Sequence, residues 1–225
     1  MTSPVDEPLI IPVGDGYVSG LLRQPQQPSF LYILAHGAGA GMRHRFLDTM
    51  AGLLAIEGIA TLRYQFPYME NNRKRPDPPA VAVAAVRAAV DAGVTAMPGV
   101  PLLAGGKSFG GRMTSTAAAA SPLAAVRGLV FLGYPLHPPG KPGVERAAHL
   151  TSIRVPMLFL QGTRDDFAQP DLLRDTILRL GRLATLHLVP DGDHSFGVRK
   201  ASGHDPATVL PDLASRIGSW ARGLR

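Results

Sequence analysis

The sequence predicts an α/β fold: a mostly parallel, twisted sheet of about seven or eight strands with helices on both faces. Two observations predict it. Continuous apolar runs of about six residues recur along the chain, as expected of strands buried on both faces. Stretches with helical spacing separate these runs, which is the pattern of βαβ units. At 225 residues, with no repeats, low-complexity tracts or break in composition, the expectation is one domain over residues 1–225.

Taken in order, Leu9–Val13 and Tyr17–Leu22 flank the turn signal Gly14-Asp15-Gly16 and predict an opening β-hairpin. Phe30–Ala35 is a buried strand, and 46–57 a helix with Phe46, Leu47, Met50, Leu53 and Leu54 on one face. Ile59–Tyr64 is the next strand, 65–78 a Pro-rich, charged loop, and 80–96 a long helix. Pro101–Ala104 is a strand and Gly110–Ala120 a helix. Leu129–Tyr134 is again a buried strand. A Pro- and Gly-rich loop (135–143) and a short helix lead to strand Val155–Leu160. Helix Pro170–Leu180, strand Ala184–Val189 and helix Pro206–Arg222 complete the chain.

Composition narrows the function classes. With no cysteine, disulfides, thiol nucleophiles and thiolate metal sites are excluded together. No apolar run approaches the length of a membrane span, and the start, Met1 to Glu7, lacks a charged-then-apolar signal pattern, so the expectation is a cytoplasmic protein without a membrane partner. The net charge of +6 invites a nucleic-acid partner. The basic residues are scattered, however, and no aromatic residues interleave with Arg73-Lys74-Arg75 or with Arg43 and Arg45 to form a stacking platform, so none is expected. The excess of Ala, Gly, Arg and Pro fits a GC-rich bacterial source.

The chemistry centres on Gly106-Lys107-Ser108-Phe109-Gly110. This is G-x-S-x-G between a strand and a helix, the setting in which a strained turn lifts a serine hydroxyl above the sheet. Small residues two before and two after Ser108 are expected to let strand and helix approach. Two nucleotide-binding alternatives fail on spacing. A phosphate-binding loop ending at Gly106-Lys107-Ser108 needs a glycine at position 101, which is Pro101. A dinucleotide fingerprint over 37–42 needs its third glycine at Met42.

Ligands in such sheets bind outside the carboxyl ends of the strands. Four groups follow four predicted strands: His36-Gly37-Ala38-Gly39, Ser108, Gly162-Thr163-Arg164-Asp165, and Asp193-His194-Ser195. Serine, acid and histidine in that chain order define roles. His194 is the general base that Ser108 needs. Asp165, with the adjacent Asp166 as the alternative, orients the imidazole. The backbone N–H groups of Phe109 and of the Gly37–Gly39 loop, Ala38 first among them, would receive an oxyanion, each typically worth about 3–4 kcal/mol of barrier. His36 is expected to be structural, and Arg43, His44 and Arg45 to be solvated or to hold an anionic substrate. Lys107 either tunes the local field or packs along the sheet. His137, His149, His187 and His204 show no metal-ligand spacing, so no metal is expected, and a serine mechanism needs no organic cofactor.

These stretches, together with Phe66-Pro67-Tyr68-Met69-Glu70 and Gly192 to Phe196, resemble the α/β-hydrolase superfamily over nearly the whole chain. The closer resemblance is to its small lidless branch, related to dienelactone hydrolases and to the hydrolase-like domain of a histone-acetyltransferase complex subunit. The resemblance implies a Ser108, Asp165, His194 triad. It also admits binding or scaffold proteins with an idle triad. The segment of about twenty residues after Tyr134, where lid domains insert, predicts an open site for small or flexible acyl substrates. The reading from sequence is a serine hydrolase of small ester or acyl substrates, as a monomer or homodimer.

Overall fold

A computed structural model describes residues 5–203 and 205–224; His204, and the chain start read above for a signal pattern up to Pro4, lie outside the described residues. Eight strands form one sheet: β1 (Asp6–Val13), β2 (Gly16–Arg23), β3 (Phe30–Ala35), β4 (Ile59–Tyr64), β5 (Leu102–Lys107), β6 (Val126–Leu132), β7 (Met157–Gly162) and β8 (Ala184–Val189). Their spatial order is β1-β2-β4-β3-β5-β6-β7-β8. β1 and β2 pair antiparallel, β2 meets β4 antiparallel, and every pairing from β4 to β8 is parallel.

The period-two geometry of strands divides the core into two halves. In β3, Leu31, Ile33 and Ala35 face one half, while Phe30, Tyr32 and Leu34 face the other. Leu129 and Phe131 against Val130 and Leu132 repeat the pattern in β6, as Phe159 against Leu158 and Leu160 do in β7. Helices cover both faces, which is why the central strands are apolar throughout. One face carries α1 (Arg45–Ile56) and α6 (Pro206–Arg222), which bury Leu47, Met50, Leu54, Leu213 and Ile217. The other carries α3 (Pro79–Ala96), α4 (Phe109–Ala120) and α5 (Pro170–Leu180).

The expected loop at 65–78 contains a one-turn helix, α2 (Pro67–Glu70), which starts with proline at its first position, where the missing N–H costs nothing. α3 corrects the reading that no apolar run approaches a membrane span: its 18 residues are long and apolar enough by length and composition. Ala82, Ala85, Val86, Ala89 and Val90 are buried in the sheet-facing core, so the apolar character serves packing here. The chain between β6 and β7 holds a 3-10 helix at Glu145–Ser152 and no inserted lid.

An ion network ties the antiparallel end to the parallel sheet. Arg63 on β4, with its side chain 1% exposed, pairs with Asp6 of β1 and Asp48 of α1, and Arg23 of β2 pairs with the same two carboxylates. Burial raises the Asp6 carboxyl, but the two guanidinium groups outweigh it and hold it below its ordinary range.

Candidate active site

β5 ends at Lys107 and α4 begins at Phe109, so Ser108 makes the turn alone. It does so at φ 49° and ψ −113°, a conformation that costs an L side chain about 1–3 kcal/mol. Its N–H donates to the Leu132 carbonyl at 3.1 Å, which ties the turn to β6. A β-carbon on Gly106 would stand 2.2 Å from the Ala35 carbonyl oxygen, and one on Gly110 2.6 Å from that of His36. Both glycines therefore admit β3 and the loop after it. The strand-to-helix approach expected of them is instead made by Gly111, whose β-carbon would lie 2.8 Å from the Gly106 carbonyl oxygen.

Two other strand ends bring their side chains to this turn. His194, in the loop after β8, has Nε2 2.8 Å from Ser108 Oγ and Nδ1 2.7 Å from Asp165 Oδ2. A carboxylate only accepts, so Nδ1 carries the proton and Nε2 is free to accept from the serine hydroxyl. Asp165 is buried at 3% exposure. Its Oδ1 accepts the Phe167 N–H at 2.8 Å, and its Oδ2 also accepts the Gln161 side-chain amide. Asp166, the alternative acid, is exposed and makes no hydrogen bond or ion pair among the described residues.

Phe167 and Gln161 were not singled out from sequence. The Phe167 ring lies 4.3 Å from the His194 ring at 31° and limits its rotation. Gln161 accepts the Tyr134 N–H at 2.8 Å while holding Asp165. Its signal was present: an amide at the end of the buried run Met157-Leu158-Phe159-Leu160 needs a partner.

The loop after β3 is fixed from below. His36 Nδ1–H donates to the Gly37 carbonyl at 2.7 Å, and Nε2 accepts the Phe66 N–H at 3.1 Å. Burial drives this imidazole down to about 4, against the pull of the Gly37 bond, so it stays neutral and structural. The Tyr68 hydroxyl accepts the Gly39 N–H at 2.8 Å, and Gln65 accepts that of Met42 at 2.8 Å. The Ala38 N–H has no acceptor among the described residues. Phe109, as the first residue of α4, has an N–H without an intrahelical acceptor, at the positive end of the helix dipole. Phe109 is anchored edge-on by Phe66, with ring centroids 5.2 Å apart.

A cavity of about 760 Å³ lies in front of Ser108, between α1 and the first turns of α6. Phe46, Leu47, Leu53, Phe167, Leu210 and Pro211 make its walls apolar. Its ionisable lining is His44, Arg45, Lys107 and His194, and no carboxylate lines it among the described residues. His44 caps α1 by accepting the Phe46 N–H at 3.2 Å, and Arg43 is exposed outside the cavity.

The remaining histidines among the described residues, His137, His149 and His187, make structural contacts. His137 bonds the Pro138 carbonyl and the Gln169 N–H, and His187 lies 3.4 Å from Asp212. His149 is 2.8 Å from Ser115 Oγ, a second serine–histidine contact. Ser115 is fully buried, its hydroxyl is also 2.8 Å from the Arg112 carbonyl, and no carboxylate bonds His149 among the described residues. The contact fastens α4 to the 3-10 helix. Among the described residues no cluster of three His, Cys, Asp or Glu side chains is placed to hold a metal ion.

Over residues 28–222 the chain matches the alpha/beta hydrolase domain family, and it belongs to that family. The solved dienelactone hydrolase of Anabaena variabilis is similar with a TM-score of 0.78 at 20% identity, covering 99% of each chain. An α/β serine hydrolase without lid from Xanthomonas campestris gives 0.75 at 20% identity, over 97% of this chain and 94% of that one. A cold-adapted esterase from an Arctic intertidal metagenomic library gives 0.71 at 17% identity, over 97% and 95%. At such identities the likeness is one of fold.

Proposed function

We propose that the protein is a serine hydrolase that cleaves carboxylic ester or related acyl bonds of small substrates through an acyl-enzyme on Ser108. The observation that carries this reading is the unbroken chain Ser108 Oγ, His194 and Asp165, with bonds of 2.8 and 2.7 Å, at the floor of a cavity. A free hydroxyl is almost never ionised at neutral pH, so attack needs the proton taken as the bond forms. His194 Nε2 takes it, and Asp165 stabilises the imidazolium. The carbonyl oxygen, now an oxyanion, is received by the Ala38 and Phe109 N–H groups. His194 then gives its proton to the leaving alcohol, and the acyl group stays on Ser108 Oγ. A water molecule, activated by the same imidazole, repeats the sequence and frees the acid.

The cavity supports a preference within that class. Its apolar walls suit an uncharged acyl chain, and its volume lies in the usual range for small-molecule sites. With no inserted lid, nothing moves aside at an oil–water boundary. The test is a p-nitrophenyl ester series from acetate to decanoate, with tributyrin as emulsion. We expect saturable hydrolysis of the shorter esters, and no rise in tributyrin rate as its solubility limit is crossed. Hydrolysis confined to long chains, or a jump at that limit, contradicts the preference.

A further inference from the structure

Lys107, immediately before the nucleophile, is the residue the mechanism above leaves without a task. Its stem runs past Gly37, with Cγ 3.6 Å from where a β-carbon there would sit. Its head ends behind His194. The point a Gly133 β-carbon would occupy lies 2.9 Å from Lys107 Nζ, 3.2 Å from the His194 carbonyl oxygen and 3.4 Å from His194 Nδ1. Glycine at 133, at φ 69°, is what keeps this notch open. The ammonium is buried and has no hydrogen-bond partner among the described residues. The Phe196 ring centroid lies 5.8 Å away.

Two carboxylates face it, Asp165 after β7 and Asp193 after β8, and neither forms an ion pair with it. Three of their four oxygens are bonded elsewhere. Asp165 serves His194, Gln161 and the Phe167 N–H, and Asp193 Oδ1 serves the Ser195 and Gly197 N–H groups. A side chain needed only to fill the notch would be apolar, since an unpaired buried ammonium is costly. The cost marks an electrostatic task.

We propose that Lys107 is a positioning residue whose ammonium, from behind His194, opposes protonation of the imidazole and so extends the attack of Ser108 to lower pH. The proposal rests on the hydrolase reading. A second positive charge beside the imidazolium disfavours it, and Asp165 only partly offsets the effect. Burial lowers the Lys107 amine to about 8, against the attraction of Asp165 and Asp193. The head is therefore charged at neutral and mildly acidic pH, where the base must stay unprotonated.

The experiment is the second-order rate of Ser108 phosphonylation by a fluorophosphonate, followed from pH 4.5 to 9 in the wild type, Lys107→Met and Lys107→Arg. In Lys107→Met the acid limb moves up by about one pH unit, because the imidazolium has lost its neighbouring cation. In Lys107→Arg the limb stays near its wild-type position. Where Met does not fold, Lys107→Gln gives the same comparison with a polar head in the notch. An acid limb that stays in place when the charge is removed overturns the proposal and leaves the hydrolase reading standing; a lowered plateau with an unmoved limb is the signature of packing alone. A folded wild type that is phosphonylated at no pH overturns both.

Discussion

On the proposed mechanism, His194→Ala is expected to lower ester hydrolysis by about 10⁴-fold or more, with the far-ultraviolet circular dichroism of the wild type retained. The size follows from the dependence of Ser108 on its base. Without Nε2 at 2.8 Å the hydroxyl has no proton acceptor, and only the two N–H donors and the cavity still contribute. The fold survives because His194 is on a loop, with its side chain partly exposed, and Asp165 keeps its bonds to Gln161 and Phe167. Measured rates of Ser108→Ala and the double variant then fall together rather than adding, since residues that act as a unit are not independent. A His194→Ala protein within tenfold of wild type would remove the imidazole from the mechanism.

Gly106→Ala is expected to act on the fold itself. A β-carbon there would lie 2.2 Å from the Ala35 carbonyl oxygen, which belongs to the central strand β3 and cannot withdraw. The position also sits at φ 145°, where an L side chain is strained whatever the space. Overlap with backbone and strain together place the loss above about 4 kcal/mol, enough to unfold many domains. Urea denaturation checks it: the variant is either unfolded without denaturant or has its midpoint sharply lowered. A midpoint near the wild-type value would contradict the close approach of β3 and β5.

Much of the fold was legible because the chain follows local rules. The expected bounds of β3, β4, β8, α5 and α6 agree with the structure to the residue. Most of their ends coincide with proline or glycine, or with a change between apolar and polar residues. β5 was expected to stop at Ala104, because Gly105 and Gly106 read as turn residues. It continues to Lys107, paired with Ala35 through Gly106 and with Leu132 through Lys107. These glycines are set by the closeness of neighbouring strands, which sequence spacing alone does not reveal.

The candidate site divides in the same way. Ser108, Asp165, His194, Ala38 and Phe109 could be named because each follows a strand in a recognisable order, and the structure brings the three side chains into one hydrogen-bonded chain. Phe167 could not be named, since a lone aromatic two residues past an acid carries no signal until its ring is seen against His194. Tyr68 lies within a stretch that could be recognised, but its bond to the Gly39 N–H spans 29 positions and only the fold reveals it.

The proposed mechanism requires Ser108 to be an activated nucleophile. The most direct measurement is intact mass after treatment with a fluorophosphonate, on native protein, heat-denatured protein and Ser108→Ala. One adduct is expected on native protein alone, mapped by peptide mass to Ser108, and none on the other two samples. Absence of an adduct on well-folded native protein, or an adduct on a different residue, would contradict it.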